Sequence, residues 1–577
     1  MHDPRSAEEN TPVLSGLRVP PHEQAPRPKP HWRVRELRQW LLGLPRTDLP
    51  RAVEAFNTQL EAINNARYPL PERIQLMDTL RQPARQFLLS LKQQLKKAPI
   101  PLGHRDRDAF QLAQRLLSEM AVGYKIITRE LILRDSRKEH DELQLREAIY
   151  VSMQYLSRQL VEAYLVYAPE PAGVWHELHQ LYQYAEDHAL LILPLDDPYP
   201  DFSLPGHYTI DLAYKRILLL ALAEPYHMMH GEADDIYYLL SAWTGVCHIL
   251  PGMNAPAAGE YAVDMASDRG PRFVADDLPW EPQQARIIDL DEVKQRLDVH
   301  LQRMLRSSLE TIDHDGQQSL VERRQRDMLL RLAEAWHGDL QRRTPRQPVA
   351  KQVRMTTGLS AAHHHLSGGA QFTPSLDELR LRFNEIDPTV FATAYEQAVE
   401  KDEYHANRHY NVRPWWQHNA SERGAALTCN ADCDRGHVTV GEVVAFRDTD
   451  RPEARWQIGV IRWMRAVAEN SLEMGIMKLA ASAVPVAVKG VRGAGKGTDY
   501  FRSLLIPKQV SLYQTRSILV PSAVYDVHSI LLVNMKQRIF YIRLLSLQRA
   551  TNAFSQFTFE VLEQPPLDLD DEAFDID

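Results

Sequence analysis

In the first part of the chain, from about His31 to Gln341, apolar residues recur at steps of three and four positions. This spacing collects apolar side chains on one face of an α-helix, and few windows show the two-residue alternation of a strand. The predicted helices are Arg33–Leu42, Leu49–Asn65, Pro71–Leu95, Arg107–Leu133 and Leu143–Tyr167. We therefore predict an N-terminal all-α array over residues 31–341.

Later helices of this array combine large aromatic residues with small ones. The predicted pairs are Tyr155–Tyr167 with Val174–Ala189, and Ile210–Leu222 with Asp234–Cys247. Such pairs are typical of helical-repeat scaffolds, but no strict period is visible, so we predict only a repeat-like bundle. The aromatic residues, among them Trp175, Tyr182 and Tyr214, are expected to form core, and a peptide-binding groove is the alternative. Residues 286–341 predict one or two more helices.

The pattern changes in the second half, where short β-branched and aromatic runs are separated by Gly, Asp, Asn and Pro. The runs Val440–Phe446, Trp456–Trp463 and Glu473–Leu479 predict a small antiparallel barrel. A second small barrel is predicted from Val484–Lys489, Val510–Tyr513, Ser517–Pro521, Ser529–Asn534, Arg538–Leu547 and Phe554–Val561. The expected fold class is therefore multidomain α + β.

A short polar stretch, Asn419-Ala-Ser421-Glu-Arg-Gly424, stands at the start of the barrel pattern, downstream of Arg342-Arg343-Thr-Pro-Arg346. Asn and Ser side chains hydrogen-bond a base edge or a phosphate, and Gly lets the backbone approach a ligand closely. Guanidinium groups pair bidentately with phosphate and stack on purines. The two stretches together predict a nucleotide receptor.

This order of motifs and strands closely resembles the PilZ domain, the bacterial receptor for cyclic di-GMP. The resemblance implies that Arg342 and Arg346 form an R-x-x-x-R motif, with Arg343 beside them. It also implies that Asn419, Ser421 and Gly424 fill the D/N-x-S-x-x-G motif. Both motifs would then close on the dinucleotide.

The spacing of the two motifs departs from the family pattern. The run 351–362 is predicted as the first strand, a helical insertion is expected at about residues 370–408, and the barrel should resume at 412–417. Alternative arginines are Arg408 and Arg413, and a further group is Arg323, Arg324 and Arg326. A solvated basic linker is the other interpretation of the arginines.

The remaining boundaries follow from composition. We predict a disordered Pro-rich leader over residues 1–30, the PilZ-like barrel over 342–482, the second barrel over 483–563 and an acidic disordered tail over 564–577. The tail is either a partner-binding peptide or a solubilising segment.

Charge and cysteine content narrow the function classes. The net charge of the 577-residue chain is −9, which argues against non-specific binding to duplex DNA. No apolar run approaches the length of a membrane span, and the first residues carry no signal-peptide core. The three cysteines indicate a reducing compartment, so we expect a cytoplasmic protein without a disulfide scaffold.

Two stretches imitate catalytic or metal motifs. The loop Gly490–Thr498 approaches a phosphate-binding loop, but too few residues follow it to form the required helix, so a hairpin or a mobile loop is expected. Cys429, Cys433 and His437 lack the spacing of a zinc knuckle, and two reduced thiols are expected instead. No catalytic constellation and no metal site are predicted.

The sequence thus predicts a non-enzymatic cyclic di-GMP receptor whose helical domain contacts an unidentified protein partner. The alternative is a ligand-independent scaffold or chaperone-like adaptor with a degenerate barrel. The sequence does not name the partner, the oligomeric state or the process controlled, for which the family resemblance implies motility, surface polysaccharide or adhesion.

Overall fold

The computed structural model describes residues 16–21, 33–45, 47–134, 139–198, 208–252, 255–274, 280–311, 320–337, 347–375, 378, 410–429, 438–451, 453–468, 471–508, 515–535 and 538–563. The chain forms two compact units. The first holds the N-terminal helices and a small sheet, and the second holds both barrels.

The predicted helical array is confirmed. Its helices are α1 (Val34–Leu42), α2 (Leu49–Asn65), α3 (Leu70–Leu95), α4 (His104–Ile132), α5 (Glu139–Leu165), α6 (Val174–Asp187), α7 (Ile210–Leu222) and α8 (Glu232–Leu240). Side-chain caps start two of them, because Asp48 accepts from the Arg51 amide and Thr209 accepts from the Leu212 amide. Helix α5 is central, since it packs against α4, α6, α7 and α8.

The aromatic residues of the later helices form core, as expected. Trp175, Tyr182 and Tyr214 are almost fully buried. The rings of Tyr182 and Tyr214 stack with centroids 4.2 Å apart, and the Tyr214 hydroxyl lies 2.7 Å from Nδ1 of His179. Burial lowers the pKa of His179 to about 4, so this histidine is neutral in the core.

Part of the predicted disordered leader is packed on the helices. Leu17 is buried, the Arg18 amide donates to Glu177 over 2.6 Å, and the Arg18 guanidinium donates to the Ala172 carbonyl. Glu177 also pairs with the buried Lys125 over 2.7 Å. Residues 16–21 therefore differ from the prediction, because one apolar side chain and one arginine find partners that composition does not reveal.

The helical array is followed by a small antiparallel sheet that the sequence did not predict. Its strands are β1 (His248–Pro251), β2 (Tyr261–Asp264), β3 (Arg272–Phe273) and β4 (Ala285–Asp289), in the order β1-β4-β2-β3. Strands of two to five residues are too short to show a clear alternation. Two further helices, α9 (Asp291–Thr311) and α10 (Leu320–His337), confirm the helices predicted before the arginines.

The first barrel is closed by the strands β5 (Gln347–Thr357), β6 (Arg413–Ala420), β7 (Gly424–Cys429), β8 (Val443–Asp448), β9 (Gln457–Ala468) and β10 (Ser471–Ala480). Their order around the barrel is β10-β7-β6-β5-β8-β9, and all pairs are antiparallel.

The predicted first strand was too long at its C-terminal end. Gly358 has a φ of +104°, which ends β5, and helix α11 (Leu359–Leu366) follows. Most of the predicted insertion lies outside the described residues; Pro374, Ser375 and Glu378 are helical.

The second barrel is also confirmed. It consists of β11 (Val484–Arg492), β12 (Phe501–Ile506), β13 (Ser517–Pro521), β14 (Ile530–Asn534), β15 (Ile539–Ala550) and β16 (Phe554–Leu562), in the order β11-β12-β13-β16-β15-β14. Strand β12 was not predicted, and the predicted strand 510–513 lies outside the described residues. Residues 490–498 join β11 to β12 as a hairpin, which confirms the interpretation of that loop.

One apolar core joins the two barrels and α11. Ala362 of α11, Ile458 of β9 and Leu479 of β10 pack together with Leu504 of β12 and Phe554 of β16. The two barrels therefore share buried side chains.

The prediction of two reduced thiols is wrong for Cys429, which is disulfide-bonded at the end of β7. The other described cysteine, Cys247, is free and buried. Composition gave no reason to expect a disulfide in a chain with so few cysteines.

Candidate ligand-binding site

The predicted Asn-Ser-Gly motif forms the connection between two neighbouring strands. Asn419 lies at the end of β6, Gly424 is the first residue of β7, and Ser421 stands between the strands. The Ser421 amide donates to the Gly424 carbonyl over 2.8 Å, which closes a tight turn. We call residues 419–424 the motif turn. The structure thus brings the three predicted residues together.

Gly424 is required by the neighbouring strand rather than by an unusual backbone angle. A Cβ atom at this position would lie 3.1 Å from the Ile476 carbonyl oxygen of β10 and 3.6 Å from the Ser421 hydroxyl. A side chain here would therefore press on β10 and on the hydroxyl that the motif supplies. The glycine keeps the Ser421 side chain accessible at the turn.

Asn419 carries an unsatisfied buried acceptor. Its side-chain oxygen Oδ1 is buried and accepts no hydrogen bond from the part of the chain that the structure describes. Its main-chain carbonyl, by contrast, accepts from the Gln417 side chain over 3.1 Å. An acceptor left in this state costs about 1–3 kcal/mol, which a donor on a ligand would recover. A guanine edge supplies such N–H donors.

Lys478 of β10 holds the motif turn at two points. Its amide donates to the Arg423 carbonyl over 2.9 Å, and its ammonium group Nζ donates to the Ser421 carbonyl over 3.1 Å. Burial lowers the pKa of Lys478, the charge of Lys351 lowers it further, and Asp448 partly opposes both. A cation that is disfavoured in this way gains from the approach of an anion.

Lys351 of β5 supplies a second cation near this turn. Its ammonium group pairs with Asp448 of β8 over 2.7 Å. Neither Lys351 nor Lys478 was predicted as a site residue. Each is a single lysine within a strand, and the distance between them depends on the positions of β5 and β10 in the barrel.

The arginine segment, residues 342–346, lies outside the described residues, so the positions of Arg342, Arg343 and Arg346 stay predictions. The chain resumes beside the motif turn, because Gln347 pairs with Ala420 and Pro348 pairs with Asn419. Arg346 is bonded to Gln347. The segment that carries the arginines therefore enters the barrel at the strand register of the motif.

The alternative arginines are less favourably placed or lie outside the described residues. Arg413 begins β6 and pairs with Met355, six residues before Asn419. At about 3.3 Å per residue this puts its backbone about 20 Å from the motif turn. Arg326 lies on α10, as do Arg323 and Arg324, whose side chains are outside the described residues.

Comparison with known proteins gives one consistent result along the chain. Residues 35–254 match the family model of the N-terminal domain of the cyclic-di-GMP receptor FimW, and residues 486–562 match its C-terminal β-barrel domain. The family model of its middle PilZ domain matches residues 261–411 and 385–485. The chain belongs to the PilZ-domain family. No solved structure matches the chain.

A curated relative extends the match over nearly the whole chain. The cyclic-di-GMP receptor FimW of Pseudomonas aeruginosa is 25% identical over 592 residues, which cover 96% of this chain and 95% of the relative. The middle PilZ model begins at residue 261, within the small sheet, whereas the PilZ barrel itself begins at Gln347.

The described residues show neither a metal-binding group nor a membrane-spanning helix. Among the described ranges, no group of three or more His, Cys, Asp or Glu side chains is placed to hold a metal ion. No helix in those ranges is long and apolar enough to cross a membrane.

Proposed function

We propose that this protein binds cyclic di-GMP at the motif turn of its first barrel and is a receptor rather than an enzyme. The observation that carries the proposal is the buried, unsatisfied Oδ1 of Asn419 in a turn that Lys478 holds in place. A dianionic dinucleotide supplies both a donor for Asn419 and charge for the lysine. The name of the FimW relative supports the same ligand.

Arg342, Arg343 and Arg346 complete the proposed site. The pairing of Gln347 with Ala420 supports this, because Gln347 follows Arg346 directly in the chain and lies beside the motif turn. Guanidinium groups on this segment would pair with the phosphates that the turn leaves uncovered. Ser421 would donate its hydroxyl to a phosphate or a base edge, and Gly424 would leave room for it.

Calorimetric titration of the full chain with cyclic di-GMP tests the proposal. We expect saturable binding that Arg346→Ala, Ser421→Ala and Asn419→Ala each weaken by about 1 kcal/mol or more, or roughly fivefold or more. Arg543→Ala and Ser546→Ala are matched controls, since both side chains are exposed on β15 of the second barrel. They should bind as the wild type does, and cyclic di-AMP should bind more weakly.

An absence of both heat and a ligand-induced thermal shift in the wild type would overturn the proposal and leave the ligand-independent adaptor. Nucleotide hydrolysis that is lost on Lys496→Ala would contradict the non-enzymatic assignment. The cytoplasmic location follows from the proposed intracellular messenger and stays a prediction.

We further propose that ligand binding is coupled to a protein partner through the helical unit. A cavity of about 210 Å³ between α3, α4, α5 and residues 195–198 supports a docking role. Its walls carry Asp78, Glu147 and Asp197, and Arg81 pairs with Asp197 over 2.7 Å. Burial raises the pKa of both Asp78 and Glu147, which disfavours their charged forms, and a cationic side chain of a partner would stabilise those charged forms.

Affinity capture with and without cyclic di-GMP tests the coupling. Cyclic di-GMP can change the affinity for the partner only as far as it binds one conformation of the protein more tightly than the other. Such coupling is typically 1–3 kcal/mol, or about 5- to 150-fold in affinity. The captured amount of the same partner should therefore change with ligand in the wild type and stay constant in Asn419→Ala. Equal capture in both conditions would contradict coupling while leaving ligand binding intact.

A further inference from the structure

Residues 16–21 lie along one face of helix α6 in the helical unit, and we call them the leader segment. Its first residue, Gly16, lies against Gln180, because a Cβ atom on Gly16 would be 2.9 Å from Cγ of Gln180. Two residues further along, the Arg18 amide donates to Glu177 over 2.6 Å. Glu177 and Gln180 are three positions apart and share one face of the helix. The leader segment therefore runs along this face in the direction opposite to α6.

The guanidinium group of Arg18 rests on the residue that caps α6. Gly173 has a φ of +84°, and a Cβ atom on it would lie 2.1 Å from Cζ of Arg18, 2.2 Å from Nη2 and 2.4 Å from Nη1. The same guanidinium donates to the Ala172 carbonyl over 2.8 Å. Only glycine leaves room for the planar group here and adopts this backbone angle without strain. The cap of α6 therefore has the shape to receive a guanidinium group.

This surface of α6 is complete without the leader segment. The Glu177 carboxylate is 4% exposed and pairs with Lys125 of α4 over 2.7 Å. Asp268 fixes the cap of α6, since its carboxylate accepts from the Gly173 amide over 2.5 Å and from the His176 amide over 3.1 Å. Both carboxylates thus keep these partners when the leader segment leaves. A surface that is organised in advance binds a segment at lower entropic cost.

The leader segment is held by few contacts. Leu17 is buried, and the two hydrogen bonds that the leader segment makes to the rest of the described chain both come from Arg18. Val19 and Pro20 are half-buried, and Pro21 is exposed. A segment of the same chain needs little affinity of its own, because a tethered ligand has an effective concentration that is roughly millimolar. A second segment with comparable contacts can therefore displace it.

We propose that this face of α6 is a docking site for an extended segment of a partner protein, and that the leader segment is its resident competitor. The partner segment carries a leucine followed by an arginine, because Leu17 is the buried side chain and Arg18 makes the polar contacts. Arginine is preferred to lysine, since a planar guanidinium covers Gly173 and a compact ammonium group does not. The site shares no residue with the cavity between α3, α4 and α5, and it does not depend on cyclic di-GMP.

Fluorescence anisotropy with a labelled peptide of residues 11–24 tests the site. The titrated protein is the full chain with Leu17→Asp and Arg18→Glu, because burying new carboxylates beside Glu177 is unfavourable and its own leader segment should leave the surface. We expect saturable binding to this double variant. Binding to the wild type should be roughly tenfold weaker, as for a site that its competitor leaves free about a tenth of the time. The peptide with Arg18→Lys should bind roughly fivefold more weakly.

Gly173→Ala is the variant of the docking site itself. Added to the double variant, it should abolish peptide binding, because its Cβ takes the place of the guanidinium group. Gly231→Ala is the matched control, since Gly231 caps α8 with a φ of +95° and a Cβ atom on it meets no other atom within 4 Å. It introduces similar backbone strain and should leave peptide binding unchanged. Melting curves of both variants distinguish lost binding from lost folding.

The outcomes that contradict the proposal are separable. Absence of saturable binding to the double variant, or equal binding with and without Gly173→Ala, would overturn the docking site. Equal affinity of the wild type and the double variant would overturn the competition by the leader segment. A wild-type dimer in sedimentation that the double variant loses would assign the site to the leader segment of a second copy and overturn the partner. These titrations contain no cyclic di-GMP, so their result is independent of the receptor function.

Discussion

Glu442 lies in the turn before β8, and its carboxylate is mostly buried. The carboxylate accepts the Val443 amide over 3.1 Å. Burial raises the pKa of this group from its ordinary value near 4.5 to about 7, and the hydrogen bond from Val443 only partly opposes the rise. The folded barrel therefore prefers the protonated form.

The sign and size of the pH effect follow from that pKa. Below the unfolded value near 4.5 the group is protonated in both states and ionisation costs no stability. As pH rises, the unfolded state ionises first, and the cost to the folded state is complete once pH exceeds about 7. A difference of about 2.5 pH units corresponds to about 3 kcal/mol at pH 8.

Glu442→Gln removes the ionisable group and keeps its size. We expect the variant to be more stable than the wild type by up to about 3 kcal/mol at pH 8, and nearly equal to it at about pH 4. Because a chain with two compact units does not unfold in one step, the measurement should be local. Hydrogen exchange of the amides of β8 and β9, read by mass spectrometry at several pH values, reports this barrel directly.

A stability difference between Glu442→Gln and the wild type that is the same at pH 5 and pH 8 would refute this reasoning, because only an ionisation produces the pH dependence. Glu473→Gln is a matched control on β10. Its carboxylate is paired with Arg465 near the surface, so no gain at high pH is expected.

Three further predictions concern other parts of the chain. Gly475→Ala should destabilise the first barrel by several kcal/mol, because its Cβ would overlap Trp463, and hydrogen exchange of β10 should increase. Lys478→Met should weaken cyclic di-GMP binding at least fivefold in calorimetry and reduce its salt dependence, whereas Lys478→Arg should retain most of it. Asp234→Asn should lower the free energy of unfolding of the helical unit by about 3–5 kcal/mol, because buried Asp234 pairs with Lys92, Lys96 and Arg158. The loss should appear as a lower melting temperature of that unit. Unchanged stability of Gly475→Ala or Asp234→Asn would contradict the contacts described for those residues. Unchanged ligand affinity of Lys478→Met would contradict the role of Lys478.

Much of the fold was predictable because long elements repeat their pattern many times. The helices α2 to α7 and the strands β13 to β16 show enough turns or alternations to be found from sequence. Short elements were missed for the opposite reason, as β1 to β4 illustrate. Helix α11 was predicted as strand because only the backbone angle at Gly358 separates it from β5.

The candidate site was predictable only where a motif is contiguous. Asn419, Ser421 and Gly424 stand within six residues and meet in one turn, as expected. Lys478 lies beside the motif turn through strand register, which sequence patterns do not specify. The arginine segment directly precedes Gln347, which pairs with Ala420 of the motif turn. The contacts of the arginines stay a prediction.

The shared core of the two barrels constrains how this protein can be dissected. β10 ends at Ala480 and β11 begins at Val484, and Leu479, Ala480 and Ala483 are buried among side chains of both barrels. A truncation between β10 and β11 would expose an apolar patch on each of the two fragments, and fragments with such patches are prone to aggregate. Because the two barrels share this core, a ligand-induced movement of the first barrel should move the second barrel with it.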